Sequence, residues 1–301
     1  MKTILVAGAT GFIGKYLTNY LLQKGYRVNA LTRSEKKSTT TNLFYYKWNI
    51  DKWEIDKNAF DNVETIINLT GVNIGEKRWT KERKREILDS RVKSINLLYE
   101  NVKLNDITLK LFISSSAVGY YGAINSSNLY TELSPNGKDF LASVCKEWES
   151  AACQFKDLSE RTIILRKGVI IGKDGGIYKK MAPIAKLGIN TAIGTGQQFL
   201  PWIEITDLLR LYGFIILNDK IDGIYNAVAT EQITMNKFSD VLLESFDKKS
   251  CFPNIPKIFV KVLVGEMSVM FLKGLRVSNQ KLINSEFIFN YDTISKALFY
   301  K

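Results

Sequence analysis

A chain of 301 residues with 46% hydrophobic and 24% charged side chains has the make-up of a folded globular protein with one large core and a smaller lobe, which excludes a disordered or low-complexity chain. The formal charge is +12, yet Lys and Arg are spread along the chain. Their densest group, KERKREILDSR at 81–91, alternates acids with bases at helical spacing, so it reads as a solvated helix face and no nucleic-acid partner is expected.

Histidine is absent, so acid–base chemistry would fall to Tyr, Lys, Cys, Asp or Glu. Cys145, Cys153 and Cys251 lack metal-ligand spacing and read as reduced thiols of a cytoplasmic protein. In MKTILVAGATGFIG the apolar run breaks into glycines too soon for a signal peptide and reads as a strand over 3–7. A helix over 12–24 follows, then a strand over 27–32 and a surface loop, SEKKSTTTN. Further β-branched or aliphatic runs at 63–69, 109–114 and 161–166 alternate with helical patterns at 80–103 and 139–157. Beyond the glycine-rich GKDGG at 172–176 come a helix at 177–187, the loop GTGQQFLPW, a helix from Asp207 to Leu217 and a strand at 223–228. From Thr230 the chain reads as mostly helical, with KFSDVLLESF and 256–273 as helices. The stretch IFVKVLVGEMSVMFL at 258–272 is too short to span a bilayer and carries Lys261 and Glu266, so no membrane segment is expected.

Near-continuous apolar strands alternating with helices predict an α/β fold, a Rossmann-type doubly wound parallel sheet with a smaller, mainly helical C-terminal lobe. The predicted division is 1–229 for the nucleotide-binding domain, with a substrate-lobe insertion around 172–205, and 230–301 for the C-terminal substrate or lid lobe.

GATGFIGK at 8–15 sits at the first strand–helix turn, where a dinucleotide pyrophosphate binds. Gly8 allows the turn, Gly11 lets backbone approach phosphate and Gly14 lets the helix pack on the strand, with Thr10, Phe12 and Ile13 between them at the helix N-terminus. The spacing is G-x-x-G-x-x-G. The second strand ends in Arg33, with Lys36 and Lys37 behind it, where an NAD enzyme usually carries an acid; a guanidinium there suits a 2′-phosphate. NADP(H) is therefore the expected cofactor, with NAD(H) the less favoured one. Leu69, Thr70 and Gly71 in NLTG, Ser114 in ISSSAVGYYG, and Gly168 stand at later strand ends and complete the expected cofactor contacts. Arg91 is expected near phosphate, with a helix-face salt bridge as its alternative, and Arg78 and Trp79 are expected on the cofactor side.

These residues, together with RW at 78–79, SR at 90–91, WESAA at 148–152, RKGVIIGKDGG at 166–176, GQQFLPWIEITD at 196–207 and FLKGLRVSNQKL at 271–282, carry a resemblance over nearly the whole chain. The chain resembles the extended short-chain dehydrogenase/reductases, and within them the atypical, YfcH-like NAD(P)-dependent epimerase family. The resemblance implies a serine after the 109–114 strand, Ser116 with Ser115 as the alternative, and a Tyr-x-x-x-Lys pair about 25 residues later. That pair is missing: aligned on WESAA, its positions hold Leu141 and Cys145. Tyr121 or Tyr120, with Ser116, is the proposed substitute, and Cys145 as a nucleophile is a weaker one. Glu204 stands where relatives carry His, as either a change in pocket charge or a surface acid. The implied function is an NADP(H)-binding reductase or epimerase of a small carbonyl or sugar-like metabolite. The alternative is a non-catalytic NADP(H)-binding regulatory or scaffold protein, and the oligomeric state stays open.

Overall fold

The first strand, β1 (Thr3–Ala7), is buried at every position, as an interior parallel strand must be when helices cover both faces of its sheet. In the computed structural model, which describes residues 2–250 and 252–299, β1 lies inside an eight-stranded sheet. Labels follow chain order. To one side lie β2 (Arg27–Thr32), β3 (Leu43–Asn49) and β4 (Glu54–Ile55); to the other lie β5 (Val63–Asn68), β6 (Leu109–Ala117), β8 (Ser159–Lys167) and β11 (Gly223–Ala227). Only the β3–β4 pairing is antiparallel. The chain winds outward from β1 through β2 and β3, then crosses back to β5 on the other side. The reversal between β1 and β5 opens a crevice beyond the carboxyl ends of the strands, where open α/β sheets bind ligands.

Two helix layers sandwich the sheet. Leu17 and Leu21 of α1 (Phe12–Gln23) and Leu208, Leu211 and Ile215 of α5 (Ile205–Leu217) pack on Ile4, Val6, Ile113 and Leu165. On the opposite face Ile95, Leu98 and Val102 of α2 (Lys81–Leu104) and Trp148 and Ala152 of α3 (Phe140–Cys153) pack on Leu5, Ile66, Phe112 and Ile164. The basic group on α2 is not wholly solvated. Lys81 and Arg85 face water, but Arg83 and Arg91 are buried, and Arg83 reaches the Asn73 carbonyl at 2.6 Å.

The remaining elements gather over one end of the sheet. A parallel pair joins β9 (Val169–Gly172) to β10 (Trp202–Glu204). Met181 and Ala185 of α4 (Gly176–Lys186) pack with Phe238 and Leu242 of α6 (Met235–Glu244) and with Ile294 and Leu298 of α10 (Ile294–Phe299). A second pair, β7 (Asn125–Tyr130) with β12 (Gly274–Val277), was not legible as strands. Its polar NSSNLY becomes a strand because a partner about 150 residues along supplies the ladder. The expected helix at 256–273 is broken at Gly265, φ 61°, into α7 (Lys257–Val264) and α8 (Val269–Leu272), with α9 (Gln280–Asn284) following β12. Contacts from Arg78 to the Val262 carbonyl, 2.9 Å, and from Lys84 to Glu266, 2.6 Å, tie this region to the segment between β5 and α2. Among the described residues no helix is long and apolar enough to cross a membrane. Cys251 lies outside the described residues.

Helix caps distinguish α1 from α2, α3, α5 and α6, while α4 and α7 share its lack of a side-chain cap. Thr80, Asp139 and Thr234 accept backbone N–H groups at the starts of α2, α3 and α6. Glu204 does the same for α5, accepting from Thr206 at 2.5 Å and Asp207 at 3.3 Å, so its carboxylate caps the helix while lining a cavity beside Tyr16, Asp174 and Tyr178. We expect Glu204→Ala to lower stability by about 1 kcal/mol, the usual cost of losing an N-cap, read from the urea midpoint. By contrast α1 begins at Gly11 with no side-chain cap, leaving its first N–H groups open.

Candidate functional site

The glycine turn shows why each glycine is there. Gly8 has φ +82°, and a Cβ on it would lie 3.0 Å from the Leu69 carbonyl carbon and 3.1 Å from the Thr70 nitrogen, so the turn is pressed against the segment leaving β5. A Cβ on Gly14 would stand 2.1 Å from the Gly8 oxygen, which leaves no room for any side chain where α1 crosses β1. At Gly11 a Cβ would meet only that same oxygen, at 3.3 Å, and otherwise open space. This is a cradle bounded by backbone and by the uncapped start of α1, the surroundings that suit a phosphate. Thr10 is exposed and Ile13 half-buried along it. Phe12 turns its ring away, onto Tyr16 at 5.6 Å between centroids and onto the GKDGG turn, where a Cβ on Gly175 would lie 2.3 Å from the ring. Phe12 can therefore serve a ligand through its backbone rather than its ring.

The other strand ends converge on this cradle. Arg33, just past β2, is exposed and has no hydrogen-bond or ion-pair partner among the described residues. At the end of β5, Thr70 Oγ1 and Asn68 Nδ2 are buried without partners among the described residues, although Asn68 Oδ1 accepts from the Thr70 N–H at 3.1 Å. Buried polar atoms are ordinarily satisfied, so orphans at the crossing from β1 to β5 mark where a polar ligand belongs. Open cradle, free guanidinium and orphaned polar atoms together fit a dinucleotide.

Three expected contacts take other roles. The Arg91 guanidinium is buried, donates to the carbonyls of Ile87 at 2.8 Å and Val72 at 3.2 Å, lies over the Trp148 ring and props Gly71 from below. Burial lowers its pKa to about 10. Gly168 is needed because a Cβ would lie 2.7 Å from the Pro201 oxygen, so it lets the chain leave β8 close beside β10. The Ser114 hydroxyl is turned inward onto the Ser115 carbonyl at 3.1 Å.

The hydroxyls expected to react are also engaged. Ser116, on the α3 face, donates to Glu149 Oε1 at 2.6 Å. Glu149 holds Arg166 in a two-pronged pair of 2.9 and 2.8 Å, with both residues at least nine-tenths buried. Arg166 Nη1 donates to the Tyr121 hydroxyl at 3.1 Å, and that hydroxyl donates to Asn226 Oδ1 at 2.6 Å. Asn226 Nδ2 reaches the Ser278 carbonyl at 3.0 Å. Tyr121 is 2% exposed, and burial pushes its phenol up to about 12. Ser116 and Tyr121 thus belong to a buried chain joining β6, α3, β8, β11 and the C-terminal segment. Tyr120 differs: it is half-buried, Arg166 stacks on its ring at 3.4 Å, and its hydroxyl has no partner among the described residues. Cys145 is buried, with its thiol pushed up to about 12, which makes it inert as a nucleophile. A Cβ on Gly119 would sit 3.5 Å from Leu141 Cβ and 3.7 Å from Cys145 Sγ, so the 118–121 turn closes directly over both positions of the missing pair.

One residue that sequence reasoning missed lies at the same edge. Lys167 ends β8, and its Nζ donates to Ser115 Oγ at 2.7 Å. Side chains alternate along a strand, so Ser115 and Lys167 fall on the α1/α5 face with Ile113 and Leu165, opposite Ser116 and Arg166. The only sequence cue was a lysine closing a buried, β-branched strand.

Comparison with known proteins agrees with this geometry. The NAD dependent epimerase/dehydratase family matches residues 4–227, and a domain of unknown function (DUF1731) matches 255–299. An epimerase family protein of Staphylococcus aureus is 31% identical over 302 residues, covering 99% of this chain and 98% of its own. The Arabidopsis thaliana epimerase family protein SDR39U1 homolog, described as chloroplastic, is 32% identical over 306 residues, covering 98% of this chain and 85% of its own. The crystal structure of human epimerase family protein SDR39U1 (isoform 2) with NADPH superposes with a TM-score of 0.87 at 27% identity, covering 99% of this chain and 98% of the human one. With its doubly wound sheet and the uncapped glycine turn at the switch point, the chain belongs to the NAD dependent epimerase/dehydratase family.

Proposed function

We propose that this protein binds NADP(H) and uses it as an atypical short-chain dehydrogenase/reductase, reducing or epimerising a small carbonyl or sugar-like metabolite. In this reading residues 1–229 hold the cofactor, the 172–205 segment adds to the substrate side, and residues 230–301 close over the strand ends. Gly8, Gly11 and Gly14 with the backbone of Thr10, Phe12 and Ile13 receive the pyrophosphate, and Leu69, Thr70 and Gly71 line the crossing. The observation that carries the choice of cofactor is Arg33, an exposed guanidinium without a partner among the described residues at the end of β2, where a 2′-phosphate would find it. The human relative solved with NADPH supports the same choice.

Calorimetric titration with NADPH and with NADH tests it. Arg33→Ala removes charge-assisted hydrogen bonds worth about 1.5–3 kcal/mol, so NADPH affinity should fall roughly 10- to 100-fold while NADH affinity stays put. Equal loss for both nucleotides, or for neither, would refute the assignment of Arg33 to the 2′-phosphate.

A second reading, a non-catalytic NADP(H)-binding regulatory or scaffold protein, is favoured by one specific observation. Leu141 and Cys145 replace the acid–base pair, and the hydroxyls of Ser116 and Tyr121 are held by Glu149, Arg166 and Asn226. NADPH binding without oxidation by any small aldehyde or ketone would support it.

A further inference from the structure

We propose that Lys167 and Ser115 form the proton-transfer pair of this site, acting on the oxygen of a ketone or aldehyde in place of the absent Tyr-x-x-x-Lys pair. The inference rests on the cofactor reading above and assigns the chemistry to Lys167 and the second of the two candidate serines, on the other face of the sheet from Ser116.

Geometry carries it. Lys167 and Ser115 stand at the carboxyl ends of adjacent parallel strands, β8 and β6, with Lys167 in register with Ala117. The 2.7 Å bond runs from Lys167 Nζ to Ser115 Oγ, so the serine accepts from the ammonium and fixes its position, while Ser115 itself is 1% exposed with its hydroxyl against Tyr212; the member of the pair that can reach a ligand is the half-buried Lys167. Lys167 is half-buried yet makes no ion pair among the described residues. A lysine drawn into protein without a carboxylate is an uncommon and costly arrangement, and such groups concentrate at functional sites.

The surrounding charges favour a proton that comes and goes. From α2 the Arg91 guanidinium repels it, and from α5 the buried Tyr212 phenol lies against Ser115. From α3 the acid Glu149 is committed to Arg166 on the opposite face, and Cys145 is buried as a thiol. Burial first, and Arg91 second, draw the Lys167 ammonium down to about 7. Sequence could not show this, because the partner serine is 52 residues away and on a different strand.

The cofactor supplies the hydride to the carbonyl carbon. As that C–H bond forms, the C=O π pair moves onto oxygen, and Lys167 Nζ, held in place by Ser115 Oγ, gives its proton to that oxygen. The products are the alcohol, the oxidised cofactor and a neutral amine at Lys167, which takes a proton back from water. Reduction therefore needs the protonated lysine and weakens as pH rises through about 7; alcohol oxidation needs the neutral amine and strengthens over the same range.

Two measurements test this, one without turnover. The pH titration of lysine side-chain NMR signals in the full chain should show one amine near 7 that is missing in Lys167→Met, a variant that fills a similar volume. Calorimetry should show that Lys167→Met and Ser115→Ala keep NADPH affinity within a few-fold of wild type. NADPH oxidation with a panel of small aldehydes and ketones should fall at least about 100-fold in Lys167→Met and lose its pH-dependent limb near 7. A Lys167 titration above about 9, unchanged turnover in Lys167→Met, or wild-type protein that binds NADPH but oxidises it with no carbonyl in the panel would each overturn the proposal. Failure to bind NADPH would instead overturn the cofactor reading and leave the amine titration to stand or fall separately.

Discussion

Glu149→Ala should destabilise the protein by about 3–5 kcal/mol, the cost of stranding a buried charge whose partner has been removed. The partner is Arg166, 1% exposed, whose guanidinium has Glu149 as its only counter-ion among the described residues. Removal leaves Arg166 with the Tyr121 hydroxyl at 3.1 Å and the Glu132 carbonyl at 3.2 Å, neither of them charged. It also strands the Ser116 hydroxyl, which donates to the same carboxylate. The variant should unfold at markedly lower urea with an unchanged slope, and Glu149→Gln, which keeps an acceptor but not the charge, should fall between it and wild type. A loss below about 1 kcal/mol would show that the pair is solvated and the network weak. The Arg166–Glu149 pair is thus a joint between α3 and β8, and Tyr121 and Asn226 extend that joint to the C-terminal segment. Ser116, near the end of β6, and Tyr121, just beyond it, are explained by structure before chemistry is invoked.

Gly14→Ala should abolish measurable NADPH binding and lower stability by about 1–3 kcal/mol, the range for forcing extra atoms into a packed site. Its Cβ would fall 2.1 Å from the Gly8 oxygen and 2.7 Å from Ala9 Cα, both backbone, so α1 must lift from β1 and carry the cradle with it. Gly11→Ala makes the complementary case. Its Cβ meets only the Gly8 oxygen at 3.3 Å and otherwise enters the open cradle, so folding should be retained while nucleotide affinity drops. Calorimetry and urea denaturation on both variants separate the roles. If Gly11→Ala bound NADPH normally, the cradle would not be the phosphate site; if Gly14→Ala bound it normally, α1 would be free to shift without consequence.

The two predictions bear on different halves of the functional question. The glycine turn and Arg33 concern whether a nucleotide is held, and they are the parts of the site closest to the family pattern. The strand ends of β6 and β8 concern what happens next, and there the chain departs from that pattern. With Leu141 and Cys145 covered by the 118–121 turn, no acid–base group can act from α3 at those positions. The proposal above draws the chemistry from the β8 side, where Lys167 and Ser115 meet; Tyr120, whose hydroxyl has no partner among the described residues, is the alternative donor.

By itself the sequence determined the features whose cause is local or periodic. Apolar runs of strand length alternating with helical stripes specify a covered parallel sheet, three glycines after the first strand specify a turn that admits phosphate, and Arg33 follows β2 by chain position alone. Tertiary structure decided everything that depends on approach between distant segments. NSSNLY became a strand only because Gly274–Val277 lies beside it. Tyr121 was committed by Asn226, 105 residues away, and Ser116 by Glu149, 33 residues away, whereas the Tyr120 hydroxyl met no partner among the described residues. Arg91 was turned to backbone carbonyls by its burial against Trp148. Lys167, unremarkable as a letter in RKG, acquired its environment from Ser115, Arg91 and the surrounding protein. Hydrophobic periodicity records which face a residue turns inward, but a hydroxyl or an amine takes its chemical state from the partner it meets there, and that partner is set by the packing of the whole chain.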